Sequence, residues 1–447
     1  MKKGGYRMSY SKRWHKVLAL LTILLVLAAC GSEAATTAPA TSAPATGGDA
    51  TAAPATASGK LEVFSWWTTG GEAAGLAALT DIFKTTDPNV EFVNSAVAGG
   101  AGSDAKAVLK TRMLGGDPPD LFQVHMGHEL IDTWVVPGQM EPLDDLYTSE
   151  GWDKSFPQGV LDIVSHDGHY WSVPANIHRA NVLWYNKKVF TDNGLTAPAT
   201  FAEFFTVAEA LQAKGITPLA LGDSGSWAAG HLFETVLLGT LGAEAYEGLW
   251  TGTTPWTDPK VTEALENFKK MLTFVNTDHG ALSWDQANDL VIQGKAGMTI
   301  MGDWVDADNL AKKFTDSGAV ASPGTAGIYD ALSDTFGIPK GAKNPDAARA
   351  FLKLVGSQQG QDAFNPVKGS IPARIDAGQG NYTEYLKSAM AEWKTATIVP
   401  SVVHGAAAKE GWATAYIDAV AGFVANQDVA KTQSQFQQAC VDAGICK

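Results

Sequence analysis

Residues 61–67 read LEVFSWW, and two further short runs follow along the chain, VEFVNSAV at 90–97 and DLFQVH at 120–125. All three are rich in β-branched and aromatic residues, which predicts strands. Helices are predicted between them, at 71–84 and 99–114. Strand, helix, strand, helix, strand at this spacing predicts an α/β fold with a mainly parallel sheet.

The alternation of strands and helices continues after Pro174. Thr200 is the predicted N-cap of a helix that begins at Phe201. Further strands are predicted at 182–185, 218–221 and 296–301. Long helical patterns occupy 228–241, 259–275, 284–293, 347–356, 361–364 and 412–425. Because residues 60–447 are too many for a single hydrophobic core, the sequence predicts two domains.

The N-terminus is typical of an exported protein. Basic residues come first, at Lys2, Lys3, Arg7, Lys12, Arg13 and Lys16. They precede an apolar run, 17–29, that is too short to span a membrane, and Cys30 follows directly. Residues 1–29 are therefore predicted to be a lipoprotein signal peptide, with Cys30 as the lipidated residue; a secretion signal with an incidental cysteine is the alternative.

Residues 30–59 consist almost entirely of Ala, Thr, Pro, Ser and Gly, which predicts a disordered tether. Such a tether would lift a globular body off a membrane. We expect a protein that is exported and lipid-anchored to the outer face of the cell membrane, or to its periplasmic side if the cell has an outer membrane.

The chain carries 33 Lys and Arg residues against 47 Asp and Glu, a formal net charge of −14. Such a surface repels nucleic acid, which is therefore not an expected partner. After Cys30 only Cys440 and Cys446 remain, and outside the cell we expect them to form a disulfide, with two free thiols as the alternative. No later segment is long and apolar enough to be transmembrane.

Several motifs fail on inspection, and no cofactor or metal is predicted. The glycine-rich run 99–106 lacks the Gly-Lys-Ser/Thr ending of a phosphate loop. His-x-x-His spacing occurs at 125–128 and at 166–169, but no third ligand completes either pair with the spacing of a structural zinc site. A glycosidase needs two carboxylates across a cleft, and Glu72 with Asp303 stays open as such a pair.

The tryptophans are more informative than these motifs. Trp66 and Trp67 lie at the carboxyl end of a predicted strand, where α/β sheets present ligands, and Trp284 and Trp304 are further candidates. An aromatic face with polar neighbours suits a sugar ring, whose C–H groups pack on the aromatic face while its hydroxyls form hydrogen bonds. For any single tryptophan, burial in the core is the alternative.

The chain resembles the family 1 extracellular solute-binding proteins of sugar ABC importers. The resemblance rests on VLWYNKKVF at 182–190 with Gly194-Leu195, Pro198 and Thr200-Phe201 after it, on QGKAGMTIMGDW at 293–304, and on the segment 350–374. Within the family it looks closest to the glucose- and mannose-binding members, on the segments 64–67, 99–102, 105–112, 122–125 and 403–405.

The resemblance implies a pyranose held between tryptophans by acidic, lysine and histidine side chains. Carried onto matching positions, the ligand-binding candidates are Trp66, Trp67, Glu72, Lys106, Gln123, His125, Trp284, Asp303, Trp304, Lys368 and His404, with Trp227 as a further wall residue. No residue is predicted to be catalytic.

The resemblance also implies a two-lobe periplasmic-binding-protein-like fold. Lobe 1 would comprise 60–173 plus 322–385, and lobe 2 would comprise 174–321 plus 386–447, with crossings near Pro174, 322–324 and Tyr385. A monomeric, non-enzymatic lipoprotein would capture glucose or a related monosaccharide by hinge closure and deliver it to the ABC permease and its ATPase. A secreted glycosidase that uses the same cleft is the alternative, and a metal- or peptide-binding importer subunit is a third possibility.

Overall fold

The computed structural model describes residues 57–446, so the predicted signal peptide, the tether and Cys30 lie outside the described residues. The strands are β1 Gly59–Phe64, β2 Val90–Asn94, β3 Leu121–His125, β4 Ser165–His166, β5 His169–Tyr170, β6 Val173–Pro174, β7 His178–Arg179, β8 Val182–Asn186, β9 Thr217–Ala220, β10 Ala296–Ile300, β11 Ser317–Ala321, β12 Ile328–Leu332, β13 Asp334–Gly337 and β14 Thr397–Pro400.

The helices are α1 Gly70–Thr86, α2 Ser103–Leu114, α3 His128–Leu130, α4 Asp144–Glu150, α5 Trp152–Ser155, α6 Gln158–Ile163, α7 Lys187–Asp192, α8 Phe201–Gln212, α9 Trp227–Leu241, α10 Ala243–Thr251, α11 Pro259–Leu272, α12 Trp284–Ile292, α13 Trp304–Ala311, α14 Pro345–Val355, α15 Gln358–Lys368, α16 Glu384–Trp393, α17 Glu410–Asn426 and α18 Val429–Asp442. Several begin as the sequence predicts. Thr200 and Glu203 form a capping box at the start of α8, and Asp258 caps α11 with Pro259 at its first position.

The first sheet has the strand order β2-β1-β3-β13-β6. Its first three strands run parallel, as the sequence predicts, but β13 is antiparallel to both β3 and β6. The prediction of a mainly parallel sheet is therefore wrong for this edge, because β13 and β6 enter the sheet from distant parts of the chain. Strand β1 also ends at Phe64, before the two tryptophans.

The second sheet has the order β11-β8-β10-β9. Here β8 is antiparallel to both of its neighbours, and only β9 and β10 run parallel. Each sheet has its own hydrophobic core. Leu61, Val63, Phe336 and Phe351 belong to the core of the first sheet, and Leu183, Phe233 and Met298 belong to that of the second. We call the two bodies the first lobe and the second lobe.

A third sheet, β14-β12-β7, connects the lobes. Strand β7 follows β6 of the first lobe and precedes β8 of the second, while β12 follows β11 of the second lobe and precedes β13 of the first. Strand β14, which pairs with β12, follows α16. The chain thus crosses near Pro174, near 322–324 and after Tyr385, and the predicted two-lobe α/β fold with about three crossings is confirmed. The residue boundaries assigned to each lobe stay a prediction.

The C-terminus is fastened to the second lobe. Helix α18 buries Phe436 and Cys440 in the core of that lobe, and a disulfide joins Cys440 to Cys446 just after the helix. Within residues 57–446, no helix combines the length and the apolar character needed to cross a membrane.

Candidate functional site

Four tryptophans surround a small cavity between the two lobes. Trp66 belongs to the first lobe, while Trp227, Trp284 and Trp304 belong to the second. About 360 Å³ of space, part of it open to solvent, lies between the lining residues. The other lining residues are Glu72, Gly100, Ala101, His125, His178, Leu332, Asp334, Lys368 and His404.

Strand and helix ends bring these side chains together. Trp66 follows the carboxyl end of β1, and His125 is the last residue of β3. Asp334, the first residue of β13, lies directly opposite His125 in the antiparallel register. Lys368 is the last residue of α15, a helix that continues through Pro366 although the sequence pattern ends at Phe364. The site therefore lies where α/β sheets hold their ligands.

Asp334 is the centre of the polar side of the cavity. Its carboxylate accepts hydrogen bonds from Gln123 Nε2 at 2.6 Å and from Asn176 Nδ2 at 2.9 Å. Burial alone would raise the pKa of Asp334, but Lys368 and His178 hold that pKa well below its usual range. The group is therefore a fixed negative charge that can accept hydroxyl donors.

Lys368 is the buried cation of the site, with its side chain 2% exposed. Its Nζ lies 2.8 Å from His178 Nε2, 3.5 Å from Glu72 Oε1 and 3.7 Å from Asp334 Oδ2. Burial raises the pKa of Glu72 above its usual value, although Lys368 acts against that shift. A buried ammonium with this many oxygen and nitrogen neighbours can also donate to a ligand hydroxyl.

His125 is held by Glu129, four residues later. His125 Nδ1 lies 2.8 Å from Glu129 Oε2, and Lys106 Nζ lies 2.7 Å from the same oxygen. Burial alone would raise the pKa of Glu129, but Lys106 and His125 lower it to about 2. The ionised carboxylate orients the imidazole, so that Nε2 faces Asp334 Oδ1 at 3.8 Å.

His178 has a similar partner, Asp303. His178 Nδ1 is hydrogen-bonded to Asp303 Oδ1, and the backbone N–H of Arg179 donates to Asp303 Oδ2 at 3.0 Å. His178 Nε2 lies 3.4 Å from Asp334 Oδ2. Asp303 therefore acts on the site through His178, and it does not itself line the cavity.

His404 closes the cavity from the second lobe. Its Nε2 lies 3.2 Å from His231 Nδ1. Burial, with His231 and His125 nearby, holds the pKa of His404 well below its usual value, and burial lowers the pKa of His231 to about 4. Both imidazoles are therefore neutral at physiological pH, and His404 can act as a donor or an acceptor according to its tautomer.

The glycine-rich run at 99–102 supports two of the tryptophans. A Cβ on Gly102 would lie 2.7 Å from the Trp66 ring, and one on Gly100 would lie 2.4 Å from Trp227 Nε1. Gly102 also has a φ of +75°, which side chains rarely adopt. The run that resembles a phosphate loop in sequence is therefore a surface on which indole rings rest.

Seven of the predicted ligand-binding residues line the cavity: Trp66, Glu72, His125, Trp284, Trp304, Lys368 and His404. The predicted wall residue Trp227 also lines it. Four predicted residues lie outside it. Trp67 is fully buried between Phe336 and Phe364, and Gln123 donates to Asp334. Lys106 pairs with Glu129, which holds His125, and Asp303 reaches the site through His178.

His178 and Asp334 are the polar lining residues that the sequence did not predict. His178 lies in a two-residue strand, and Asp334 follows Leu332-Ser333 without any recognisable motif. The polar run Asn176-Ile177-His178-Arg179, next to the predicted crossing at Pro174, is the signal that could have suggested His178.

In each His-x-x-His pair the two histidines have different acidic partners. His125 binds Glu129, whereas His128 Nδ1 lies 2.6 Å from Asp132. His166 and His169 face each other across the short β4–β5 pair. Over the part of the chain that the structure describes, no group of three or more His, Cys, Asp or Glu side chains could hold a metal ion.

Comparison with known proteins identifies relatives along nearly the whole chain. Residues 50–362 match the family model of the bacterial extracellular solute-binding proteins. An uncharacterised extracellular-binding protein of an ABC transporter from Pyrococcus horikoshii is 36% identical over 94% of this chain and 93% of its own length. A probable sugar-binding periplasmic protein from Rhizobium meliloti is 32% identical over 78% of this chain and 85% of its own length.

Solved structures share the fold. The bacterial solute receptor AcbH, described as exclusively preferring β-D-galactopyranose, superposes with a TM-score of 0.78 at 22% identity, over 86% of this chain and 98% of its own. A chitin oligosaccharide binding protein superposes with a TM-score of 0.76 at 24% identity, over 86% of this chain and 99% of its own. Since the family model spans most of the chain and the Pyrococcus relative matches nearly all of it, the chain belongs to the family of bacterial extracellular solute-binding proteins.

Proposed function

We propose that this protein is the sugar-binding receptor of an ABC importer, and that it captures glucose or a related monosaccharide by closure of its two lobes. The observation that carries the proposal is the composition of the cavity. Four tryptophans enclose it, and its polar side presents Asp334, Lys368 and Glu72. The faces of aromatic rings suit the C–H groups of a pyranose, while buried charged groups suit its hydroxyls.

Lobe closure would make these contacts strong. Trp66, His125 and Glu72 approach the cavity from the first lobe, and Trp227, Trp284 and Trp304 approach it from the second, so that only the closed arrangement surrounds a ligand. Closure excludes water from the site. A sugar whose hydroxyl has the wrong configuration at one carbon would then leave a buried polar group unpaired, at a cost of about 1–3 kcal/mol. This penalty would set the choice of sugar.

The names of the relatives support a sugar as the solute. Besides the Rhizobium protein, the glucose-binding protein GlcS of Saccharolobus solfataricus is 26% identical over 68% of this chain and 59% of its own length. We further propose that the receptor is a monomer with a lipid on Cys30, and that it delivers the sugar to a permease coupled to an ATPase.

Isothermal titration calorimetry of the mature protein against a panel of sugars tests the proposal. We expect saturable binding of glucose or a related monosaccharide, and mass spectrometry should recover the sugar unchanged after incubation. Trp66→Ala should abolish binding while the circular dichroism spectrum stays that of the parent protein, and Trp393→Ala, on α16 and away from the cavity lining, is the matched control. No binding to any sugar would contradict the proposal.

Turnover of a glycoside would instead support the alternative, a secreted glycosidase. The site offers this alternative little support. Asp303, one of its two candidate carboxylates, does not line the cavity and has both oxygens hydrogen-bonded. Asp334 does line it, but its charge is shared with Lys368 Nζ at 3.7 Å and with the amide donors of Gln123 and Asn176, which makes it a weaker nucleophile toward an anomeric carbon.

A further inference from the structure

Two neighbouring residues of α13 contact the first lobe outside the tryptophan cavity. The helix belongs to the second lobe, because Trp304 and Val305 lie in the core of that lobe. Asp306 Oδ2 accepts a hydrogen bond from Thr383 Oγ1 at 2.6 Å, and Ala307 is 3% exposed. Neither Asp306 nor Ala307 lines the cavity, so their contacts can change without touching a bound sugar.

Thr383 is held in place by the first lobe. It precedes α16, whose Leu386 lies in the core of that lobe, and its Oγ1 also accepts from the backbone N–H of Leu386 at 3.2 Å. The loop before it is bound to α15, since Asp362 Oδ1 accepts from the backbone N–H groups of residues 378–380. The hydrogen bond between Thr383 and Asp306 therefore joins the two lobes.

Ala307 occupies a socket formed by two glycines of the first lobe. A Cβ on Gly71, in the first turn of α1, would collide with Ala307 Cβ, and one on Gly369, directly after α15, would lie 2.9 Å from the same atom. Leu76 of α1 and Phe364 of α15 lie in the first-lobe core. A side chain larger than alanine at position 307 would therefore collide with the first lobe when the lobes meet. We use the name α13 seam for Gly71, Asp306, Ala307, Gly369 and Thr383.

Asp306 loses water when the seam forms. The carboxyl lines a groove of about 1270 Å³, part of it open to solvent, so it can exchange protons with water. In the closed arrangement, burial raises the pKa of Asp306 to about 6, although the hydrogen bond from Thr383 acts against that shift. When the lobes part, water reaches both oxygens and the pKa returns toward the ordinary 3.8. Closure therefore takes up a proton at pH values between these two pKa values.

Other ionisable groups face Asp306 from the elements around it. Asp303, at the N-cap of α13, raises the pKa of Asp306 further, and burial keeps the hydroxyl of Tyr385 neutral by raising its pKa well above the ordinary value. The charged side chains along the groove are Arg179, Lys187, Glu384 and Glu392. Those on the helices that pack on α13 are Glu72 of α1, Asp289 of α12 and Lys368 of α15, each paired with another charge. Among the residues that the structure describes, only Thr383 donates a side-chain hydrogen bond to Asp306.

We propose that the α13 seam is a proton-linked lock on lobe closure. The seam forms only when the lobes meet, and its fit and its charge set how easily they meet and hence how tightly sugar is held. A neutral Asp306 eases closure, whereas an ionised Asp306 is buried at a cost that Thr383 partly offsets. This inference rests on the proposed function, because sugar binding is the event that closes the lobes.

Ala307→Leu tests the fit of the seam. We expect calorimetry to show a sugar affinity about tenfold or more below that of the parent protein, because the leucine side chain collides with Gly71 and Gly369 only on closure. Ala202→Leu, at an exposed position of α8, is the matched control and should bind as the parent protein does. Unchanged affinity in Ala307→Leu would overturn the seam as a lock.

Asp306→Asn tests the proton link. The pKa difference between 3.8 and about 6 should make the parent protein bind sugar about tenfold more tightly at pH 5 than at pH 7.5 through this group. Asparagine keeps an acceptor for Thr383 but takes up no proton, so the variant should lack this tenfold component and bind more tightly than the parent protein at pH 7.5. Other groups titrate in both proteins and cancel in the comparison. The same pH dependence in both proteins would overturn the proton link.

Thr383→Val tests the hydrogen bond between the lobes. Loss of the donor to an ionised Asp306 should lower sugar affinity about tenfold at pH 7.5. The loss should shrink at pH 5, where Asp306 is mostly neutral in the closed form. Thr383→Ser keeps the hydroxyl and should restore the affinity of the parent protein, and equal affinities in the two variants would remove this hydrogen bond from the lock. Failure of every sugar to bind the parent protein would overturn both the proposed function and the lock, whereas sugar binding that none of these variants alters would overturn the lock alone.

Discussion

Two histidine–carboxylate pairs flank Asp334, and they are built differently. In the first lobe, Glu129 holds His125 and is shared with Lys106, whose side chain is 26% exposed. On the other side, Asp303 holds His178 from a fully buried position and is shared with the backbone N–H of Arg179. Each histidine directs Nε2 toward a different oxygen of Asp334.

The difference suggests a division of roles. The Glu129 pair reaches solvent through the stem of Lys106, so its charges can be partly hydrated when one partner is removed. The Asp303 pair has no such access to solvent. It connects the start of α13 in the second lobe with β7 of the connecting sheet. We therefore expect the first pair to be tunable and the second to be essential to the fold.

Replacing the shared centre should have the largest effect. Asp334→Ala removes the acceptor that both pairs face and leaves Lys368, Gln123 and Asn176 without it. We expect the free energy of unfolding to fall by about 3–5 kcal/mol and sugar affinity to fall by about 100-fold or more. Urea unfolding and calorimetry measure the two effects, and an affinity within threefold of the parent protein would refute the central role of Asp334.

Removing the charge of Asp303 or of Glu129 should destabilise the protein to different extents. Asp303→Asn should lower the free energy of unfolding by about 3 kcal/mol or more, because no solvent reaches the group. Glu129→Gln should cost about 1–3 kcal/mol, because Lys106 can turn toward water. Denaturant unfolding of the two variants under identical conditions shows which variant loses more free energy of unfolding. A larger loss of stability in Glu129→Gln than in Asp303→Asn would contradict our interpretation.

Acid should weaken the first pair within a defined window. The pKa of Glu129 is about 2 in the folded protein against 4.5 for the ordinary group, so its stabilisation is complete above pH 4.5 and is lost as the pH falls toward 2. The loss is at most about 3 kcal/mol. Between pH 5 and pH 2, the free energy of unfolding should therefore fall less steeply with decreasing pH in Glu129→Gln than in the parent protein. Parallel curves would contradict the assignment.

A third pair on the surface should show the smallest effect. His169 Nδ1 lies 2.6 Å from Asp144 Oδ2, but the two side chains are 53% and 41% exposed. Asp144→Asn should change the free energy of unfolding by no more than about 1 kcal/mol and leave sugar affinity unchanged. Pairs of similar geometry would then differ in their contribution to stability because one is exposed and the other is buried. Thermal unfolding of the variant and the parent protein in low and high salt measures the difference.

Most of the framework could be predicted from the sequence, because its elements carry local signals. The runs that become β1, β3, β8 and β10 are short and apolar, and the capping box at Thr200 marks the start of α8. Helix α18 could not be predicted in the same way. Phe436 is the one large aromatic residue in a mostly polar segment, and the helix is held by packing on the second lobe rather than by a visible period.

The site shows where such inference stops. The family resemblance implies His125 and Asp303 as site residues, but it does not imply their partners Glu129 and His178, since pairing depends on contacts in three dimensions. The resemblance implies that Asp303 binds the ligand, but the acids that line the cavity are Glu72, which is also implied, and Asp334, which is not. Asp334 comes opposite His125 only through the antiparallel pairing of β13 with β3, which no spacing in the sequence reveals.

The close contact between Gly100 and Trp227 has a consequence for the balance between open and closed forms. Gly100 has no positive φ, so an alanine would suit its backbone, yet the added methyl group would press on an indole from the opposite lobe. That pressure exists only when the lobes meet. A Gly100→Ala protein would therefore populate the closed form less, and its apparent affinity would fall by the lost closed fraction.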